Sequence, residues 1–260
     1  MLKKLKDKIS LQGFEWLLKQ RGYQYWQEDE LEKVIAVRGT HPDFYVKTPQ
    51  CEFLAEVKSF EAPSVIDEAV NRGIKVGVVE PKDLLKRLSG ACKEAARQLK
   101  PYADLNLPMI IVLDNWRRVR IPLNPQYLIQ LFGVIEFRGE CNPKKGITER
   151  IRPFHGGKRQ LGPNLHSYVS AVVVQIPTER YIDDDFNIER QMRVRILHNP
   201  YAKVSLHPEV FRDETDTIIS YSALESRWEM RPGRWKVSMH KEMLEEDTWS
   251  RTRIVELEDV

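Results

Sequence analysis

Asp43, Glu56 and Lys58 are the residues of this chain whose types and spacing best suit catalysis. They lie in HPDFYVKTPQCEFLAEVK, residues 41–58, which reads as two apolar-rich strands joined by a Thr-Pro-Gln turn. Side chains alternate along a strand. Phe53, Ala55 and Val57 therefore share one face, and Leu54, Glu56 and Lys58 share the other. Likewise Phe44 and Val46 oppose Asp43, Tyr45 and Lys47. A turn centred between Pro49 and Gln50 sets Thr48 opposite Cys51 and Asp43 opposite Glu56. Paired residues point to the same face with Cβ atoms about 5 Å apart, so the two carboxylates repel. A divalent cation turns that repulsion into a binding site, and Mg2+ is typically held by one or two carboxylates with water and phosphate oxygens. Lys58, two residues beyond Glu56, is placed to neutralise an anion or steer a water.

Several elements must position this hairpin. Residues 10–22, SLQGFEWLLKQRG, read as a helix capped by Ser10 and ended by Arg21-Gly22, with Leu11, Phe14 and Leu18 on its apolar face. KVIAVRG, 33–39, reads as a strand. Residues 61–82 read as an insertion around the apolar run IKVGVV. A long helix from Pro81 to Lys100 carries Leu84, Leu85, Leu88, Ala91, Ala95 and Leu99 in one stripe, with Pro81 in its first turn and Pro101 stopping it. PMIIVLDN, 108–115, is a continuous apolar run and hence a central strand. Helix, strand, hairpin, helix, strand implies an α/β chain whose sheet is covered by helices.

Beyond about residue 120 the pattern changes. YVSAVVVQI and RVRILH read as strands joined by the acidic connection PTERYIDDDFNIERQ. Residues 147–164, ITERIRPFHGGKRQLGPN, are rich in Arg, Gly and Pro and read as a mobile basic loop. The division expected is a core over 1–118 and an α+β extension over 119–260, β-rich, packed on the core and contributing to substrate binding.

The 260 residues are 42% hydrophobic and 30% charged, with a net charge of +3. That composition suits a globular chain and excludes a global polycation, though not a local basic groove. Cys51, Cys92 and Cys141 are odd in number and widely spaced, which argues against a disulfide framework or a structural zinc site and fits a reducing cytoplasm. MLKKLKDKIS has no long apolar run behind it, so neither a signal peptide nor a membrane span is expected. No P-loop, His-x-x-x-His or Gly-x-Ser-x-Gly pattern occurs. His41 precedes the hairpin, and His198 and His207 flank a turn with a structural role.

Pro42-Asp43 and Glu56-Val57-Lys58 resemble the active-site signature of the PD-(D/E)XK nuclease superfamily. The order of elements around them is similar to that family's restriction-endonuclease-like core. The resemblance implies Mg2+, with Mn2+ able to substitute, held by Asp43, Glu56, the Val57 carbonyl and Glu15 of the preceding helix. It implies that Lys58 orients or deprotonates the attacking water. Gln98-Leu99-Lys100-Pro101-Tyr102 resembles the Gln-x-x-x-Tyr of RecB-like members, with Pro101 as a departure that puts the place of Tyr102 in doubt. It assigns Gln98 to the catalytic group and Tyr102 to the nucleic acid. The activity implied is cleavage of DNA in restriction, repair or defence. The alternatives are an RNA-directed or junction-resolving nuclease, or a non-catalytic nucleic-acid-binding module. Many relatives cut duplexes as dimers, which makes a homodimer an expectation. A polyanion needs cations and stacking rings. Three stretches offer them: Arg117 and Arg118; Arg152, Lys158 and Arg159; Arg231 and Arg234, the last pair interleaved with Trp228 and Trp235.

Overall fold

The computed structural model describes residues 2–36, 40–60, 81–114, 128, 130–132, 135–142, 147–155, 159–162, 164–181, 188–211, 217–222 and 227–231. Within 2–4, 28–29, 81–84, 135–142, 147–155, 177–181, 188–191, 217–222 and 227–231 it describes the backbone path alone. No described helix is long and apolar enough to cross a membrane.

Helix α1 spans Leu2–Gln20 and ends in a left-handed glycine. Gly22 has φ 66°, its N–H donates to the Lys19 carbonyl, and the Tyr23 N–H donates to that of Leu18. This double closure satisfies helix carbonyls left without partners, and it suits Gly because a side chain disfavours that backbone region. The turn sends the chain directly into strand β1, Gln24–Gln27. The hairpin follows as β2, Phe44–Lys47, and β3, Glu52–Ser59. Helix α2, Pro81–Leu99, leads through a short turn at Lys100–Tyr102 into β4, Met109–Asp114. The remaining strands are β5 (Ile135–Asn142), β6 (Ile147–His155), β7 (Ala171–Tyr181), β8 (Ile188–His198), β9 (Thr217–Ser222) and β10 (Arg227–Arg231).

Eight strands form one mixed sheet in the order β1-β2-β3-β4-β7-β8-β9-β10, and β5 and β6 pair separately. β3, β4 and β7 run parallel, and β8 returns antiparallel along β7. Strands of the 119–260 segment thus extend the same sheet that begins with the hairpin. The chain is α/β, with helices on both faces of the sheet.

Each face buries its own apolar cluster. On one, Phe14, Leu17 and Leu18 of α1 meet Phe44, Val46, Phe53, Ala55, Val57, Ile110 and Val112. On the other, Leu88, Cys92, Ala95, Ala96 and Leu99 of α2 meet Tyr45, Leu54, Met109, Ile111 and Leu113. All six residues of β4 are buried, which accounts for its unbroken apolar run. Complete burial of one such Phe or Leu contributes about 1.5–3 kcal/mol, so the hairpin is held from both sides.

Three sequence expectations change. The first helix begins eight residues before Ser10, so Ser10 is no cap. Instead its hydroxyl, inside the helix, donates to Asp114 Oδ2 at 2.7 Å. Residues 33–39 form no strand where they are described. Glu28–Lys33 is a 3-10 helix, and the Val34 and Ile35 N–H groups close it on the Leu31 carbonyl. The strand belongs earlier, at Gln24–Gln27, because pairing with β2 decides it and propensity does not. Finally, 147–155 is a strand laddered against β5 and not a loop. Its Arg and Pro content masked that pairing with the preceding strand. The proposed insertion lies outside the described residues, except that 81 and 82 open α2.

Candidate functional site

The hairpin has the register expected from its turn. Phe44 pairs Ala55, Tyr45 pairs Leu54, Val46 pairs Phe53 and Lys47 pairs Glu52. Thr48 holds the turn: its N–H donates to the Cys51 carbonyl, and its Oγ1 accepts the N–H groups of Gln50 and Cys51. A one-residue slip would turn every side chain over, so this turn decides where Glu56 and Lys58 point. They lie on the α2 face of the sheet, beyond Leu54 and towards the carboxyl end of β3.

Asp43 stands one residue before β2, opposite Glu56. Its carboxylate does not stand beside Glu56 as a free neighbour on the face. Asp43 Oδ2 accepts the Val57 N–H at 2.7 Å, continuing the ladder where β2 has ended. The N–H and carbonyl of one strand residue address the same neighbouring strand. The Val57 carbonyl is therefore on the edge that Asp43 occupies.

Lys58 Nζ donates to Glu56 Oε1 at 2.6 Å. The Glu56 side chain is fully buried, and that of Lys58 is 18% exposed. Glu56 Oε2 is buried without a hydrogen-bond partner. Burial first, and then the Asp43 charge, push the Glu56 carboxyl up to about 8, with Lys58 acting in the opposite direction. For Lys58, burial works to lower the ammonium, but the Glu56, Asp43 and Glu94 carboxylates outweigh it and the group is raised. Lys58 is thus a cation at neutral pH. It can orient a water or a phosphate oxygen, and it is not poised to remove a proton.

No protein-family model matches this chain, and searches of curated proteins and of solved structures return no match. The site is therefore read from its own geometry.

Glu15 does not join the pair. It lies on α1, which packs on the opposite face. Its Oε1 accepts from Lys19 Nζ and from the Tyr25 hydroxyl, each at 2.7 Å, and these contacts hold its carboxyl below the usual range. Among the described residues no three His, Cys, Asp or Glu side chains converge as a metal cluster. The metal set expected from sequence is thereby reduced to Asp43, Glu56 and the Val57 carbonyl. That set still fits a hard cation: it is all oxygen, and one buried acceptor has no donor.

Gln98 and Tyr102 part company. Gln98 is half-buried with its Oε1 enclosed and unpartnered. Tyr102 is fully buried, and its hydroxyl donates to the Thr40 carbonyl at 3.0 Å. The chain continues past Pro101 as a 3-10 turn, which is how Tyr102 reaches that carbonyl three residues before Asp43. Tyr102 therefore positions the hairpin and cannot touch nucleic acid at the surface. Glu94, one helical turn before Gln98, was missed by the sequence reading. Its i, i+4 relation to Gln98 was the available signal.

The basic stretches stand apart from this geometry. Arg117, Arg118, Lys158 and Arg234 lie outside the described residues. Arg152 and Arg231 are placed by backbone only, on β6 and β10. Arg159 is half-buried, beside Gln160 and Leu161, whose N–H groups donate to the Leu131 carbonyl. His41 approaches Glu32 at 3.7 Å.

Proposed function

We propose that Asp43, Glu56 and Lys58 form the centre of a metal-dependent nuclease that hydrolyses DNA phosphodiester bonds, on a core of the PD-(D/E)XK kind. The observation that carries this reading is the buried Glu56 carboxylate. One oxygen is bound by Lys58, the other has no donor, and the Asp43 charge bears on the group. A purely structural ion pair would leave no acceptor orphaned, since such a group costs about 1–3 kcal/mol. The order helix, strand, hairpin, helix, strand supports the same core. So does the position at the carboxyl ends of parallel strands, where open α/β sheets bind ligands.

Mg2+ or Mn2+ held by Asp43, Glu56 and the Val57 carbonyl would supply Lewis acidity and lower the pKa of a bound water. Asp43 fixes the end of β2 to β3, so the two carboxylates keep their spacing. The Lys58 ammonium has three N–H donors and spends one on Glu56 Oε1. The other two can hold a phosphate oxygen and the attacking water in line. Leu54, Ile111 and Leu113 make a dry floor around the pair, in which a fixed cation stabilises developing charge more strongly than in water.

The test is cleavage. Wild-type protein should cut single-stranded, duplex or branched DNA with Mg2+ or Mn2+. Lys58→Ala should lose about a hundredfold or more, as removal of a preorganised charged donor typically does. Wild type and Lys58→Ala behaving alike on every DNA and RNA substrate would remove the proposal.

A further inference from the structure

Helix α2 carries a second polar surface, separate from the basic stretches noted in the sequence. Lys93, Arg97 and Lys100 follow i, i+4, i+7 spacing and so lie in one stripe, exposed. Across from them the turn Asn164–Tyr168 closes a groove of about 670 Å3, which Glu94 also lines. The far wall is built rather than incidental. The Tyr168 hydroxyl donates to the Ala96 carbonyl at 2.8 Å, which pins the ring to α2. The His166 ring lies edge-on to Tyr168 with centroids 5.8 Å apart, and its Nδ1 meets the Gln160 carbonyl at 2.7 Å. His166 holds a left-handed backbone, φ 50°, which is uncommon for a residue with a side chain.

We infer that this groove binds one strand of the nucleic acid substrate, with phosphates on Lys93, Arg97 and Lys100 and bases against His166 and Tyr168. The inference rests on the nuclease reading. Three cations face one carboxylate, which favours a polyanion over a cation or a neutral ligand. Aromatic faces opposite a cationic stripe are the elements of sequence-tolerant strand binding. Rings that stack on bases favour an unpaired strand over a duplex, whose bases are already stacked and paired. Glu94 connects the two places: it lines the groove, and its charge bears on Lys58. A strand leaving the groove past Glu94 is directed towards the Glu56–Lys58 pair.

Binding is separable from cleavage. In EDTA, the anisotropy of a labelled oligothymidylate should report binding to wild type and to Glu56→Gln alike. Lys93→Ala/Arg97→Ala/Lys100→Ala should weaken it about tenfold or more and reduce the salt slope by about two, since each phosphate contact on a single strand contributes about 0.7. Glu94→Gln should tighten it. His166→Asn, which tolerates the left-handed backbone and removes the ring, should weaken it about fivefold or more. Lys33→Ala/Lys47→Ala, two exposed cations away from the groove, should leave it unchanged.

Four results would overturn the inference: no binding by wild type, a triple variant that binds like wild type, equal weakening by the Lys33/Lys47 control, or displacement of the strand by thymidine monophosphate at equal nucleotide concentration. Each leaves metal-dependent cleavage, and its loss in Lys58→Ala, to be judged on its own readout.

Discussion

The Asp43 carboxylate takes the place of a backbone acceptor. Its Oδ2 receives the Val57 N–H at 2.7 Å, so the residue that would hold a cation also terminates the β2–β3 ladder. The two duties separate on substitution. Asp43→Asn keeps an acceptor for Val57 and loses the charge, whereas Asp43→Ala loses both. Cleavage should vanish in each variant. Urea unfolding should show Asp43→Ala less stable by about 1–3 kcal/mol, the cost of a buried N–H left unpaired, with Asp43→Asn closer to wild type. Equal stability losses in the two would refute the ladder role.

Glu56 makes cation binding pH-dependent. Its folded carboxyl is raised to about 8 from 4.5. Without a cation, stability from this group is complete below the unfolded value and declines as pH rises towards 8, because the folded state then binds more protons. A cation competes with the same proton. Mn2+ affinity should therefore increase by up to tenfold per pH unit below about 8 and level off above it. Calorimetry in buffers of different ionisation enthalpy should show close to one proton released per ion. Glu56→Gln should remove the pH dependence and the proton release together.

Gly13 is required by a neighbour. A Cβ at that position would lie 2.7 Å from Gln175 Oε1, and Gln175 is only 3% exposed, so it has little room to withdraw. Gly13→Ala should destabilise wild type by about 1 kcal/mol, as overpacking does. In a Gln175→Ala background the same substitution should stabilise by about 0.5–1 kcal/mol, the usual helical preference for Ala. The reversal of sign between the two backgrounds, read by thermal or urea unfolding, is the test.

His198 works against acid. It sits at the end of β8 with Nε2 enclosed and unpartnered, and burial lowers its pKa to about 4. The unfolded chain takes up its proton near the ordinary 6.5, before the folded protein does. Stability should therefore be complete above about 6.5 and fall as pH drops from there towards 4, by about 3 kcal/mol at the limit. Chemical denaturation across that range should show the slope, and His198→Gln should flatten it.

The hairpin was legible from sequence because its information is local. Alternation sets the faces, Thr48 and Pro49 set the turn, and a fixed turn allows one register. The same holds for α2, bounded by Pro81 and Pro101, and for β4, whose apolar run reflects burial on both faces. Four residues, QYWQ, carry too little pattern to mark β1 as an edge strand, and ITERIRPFH too much Arg and Pro to mark β6. Pairing with β2 made the first a strand, and pairing with β5 the second. Glu15 illustrates the same limit at the site. The resemblance implied a metal ligand there, yet α1 packs on the face away from Glu56, a choice that no local pattern contains. Ser10 left its expected cap for Asp114, and Tyr102 left its expected surface for the core. The groove along α2 joins residues about seventy positions apart. The sequence by itself determined which side chains share a strand or helix face. The tertiary structure decided which faces meet, because that depends on the burial of apolar surface summed over the whole sheet.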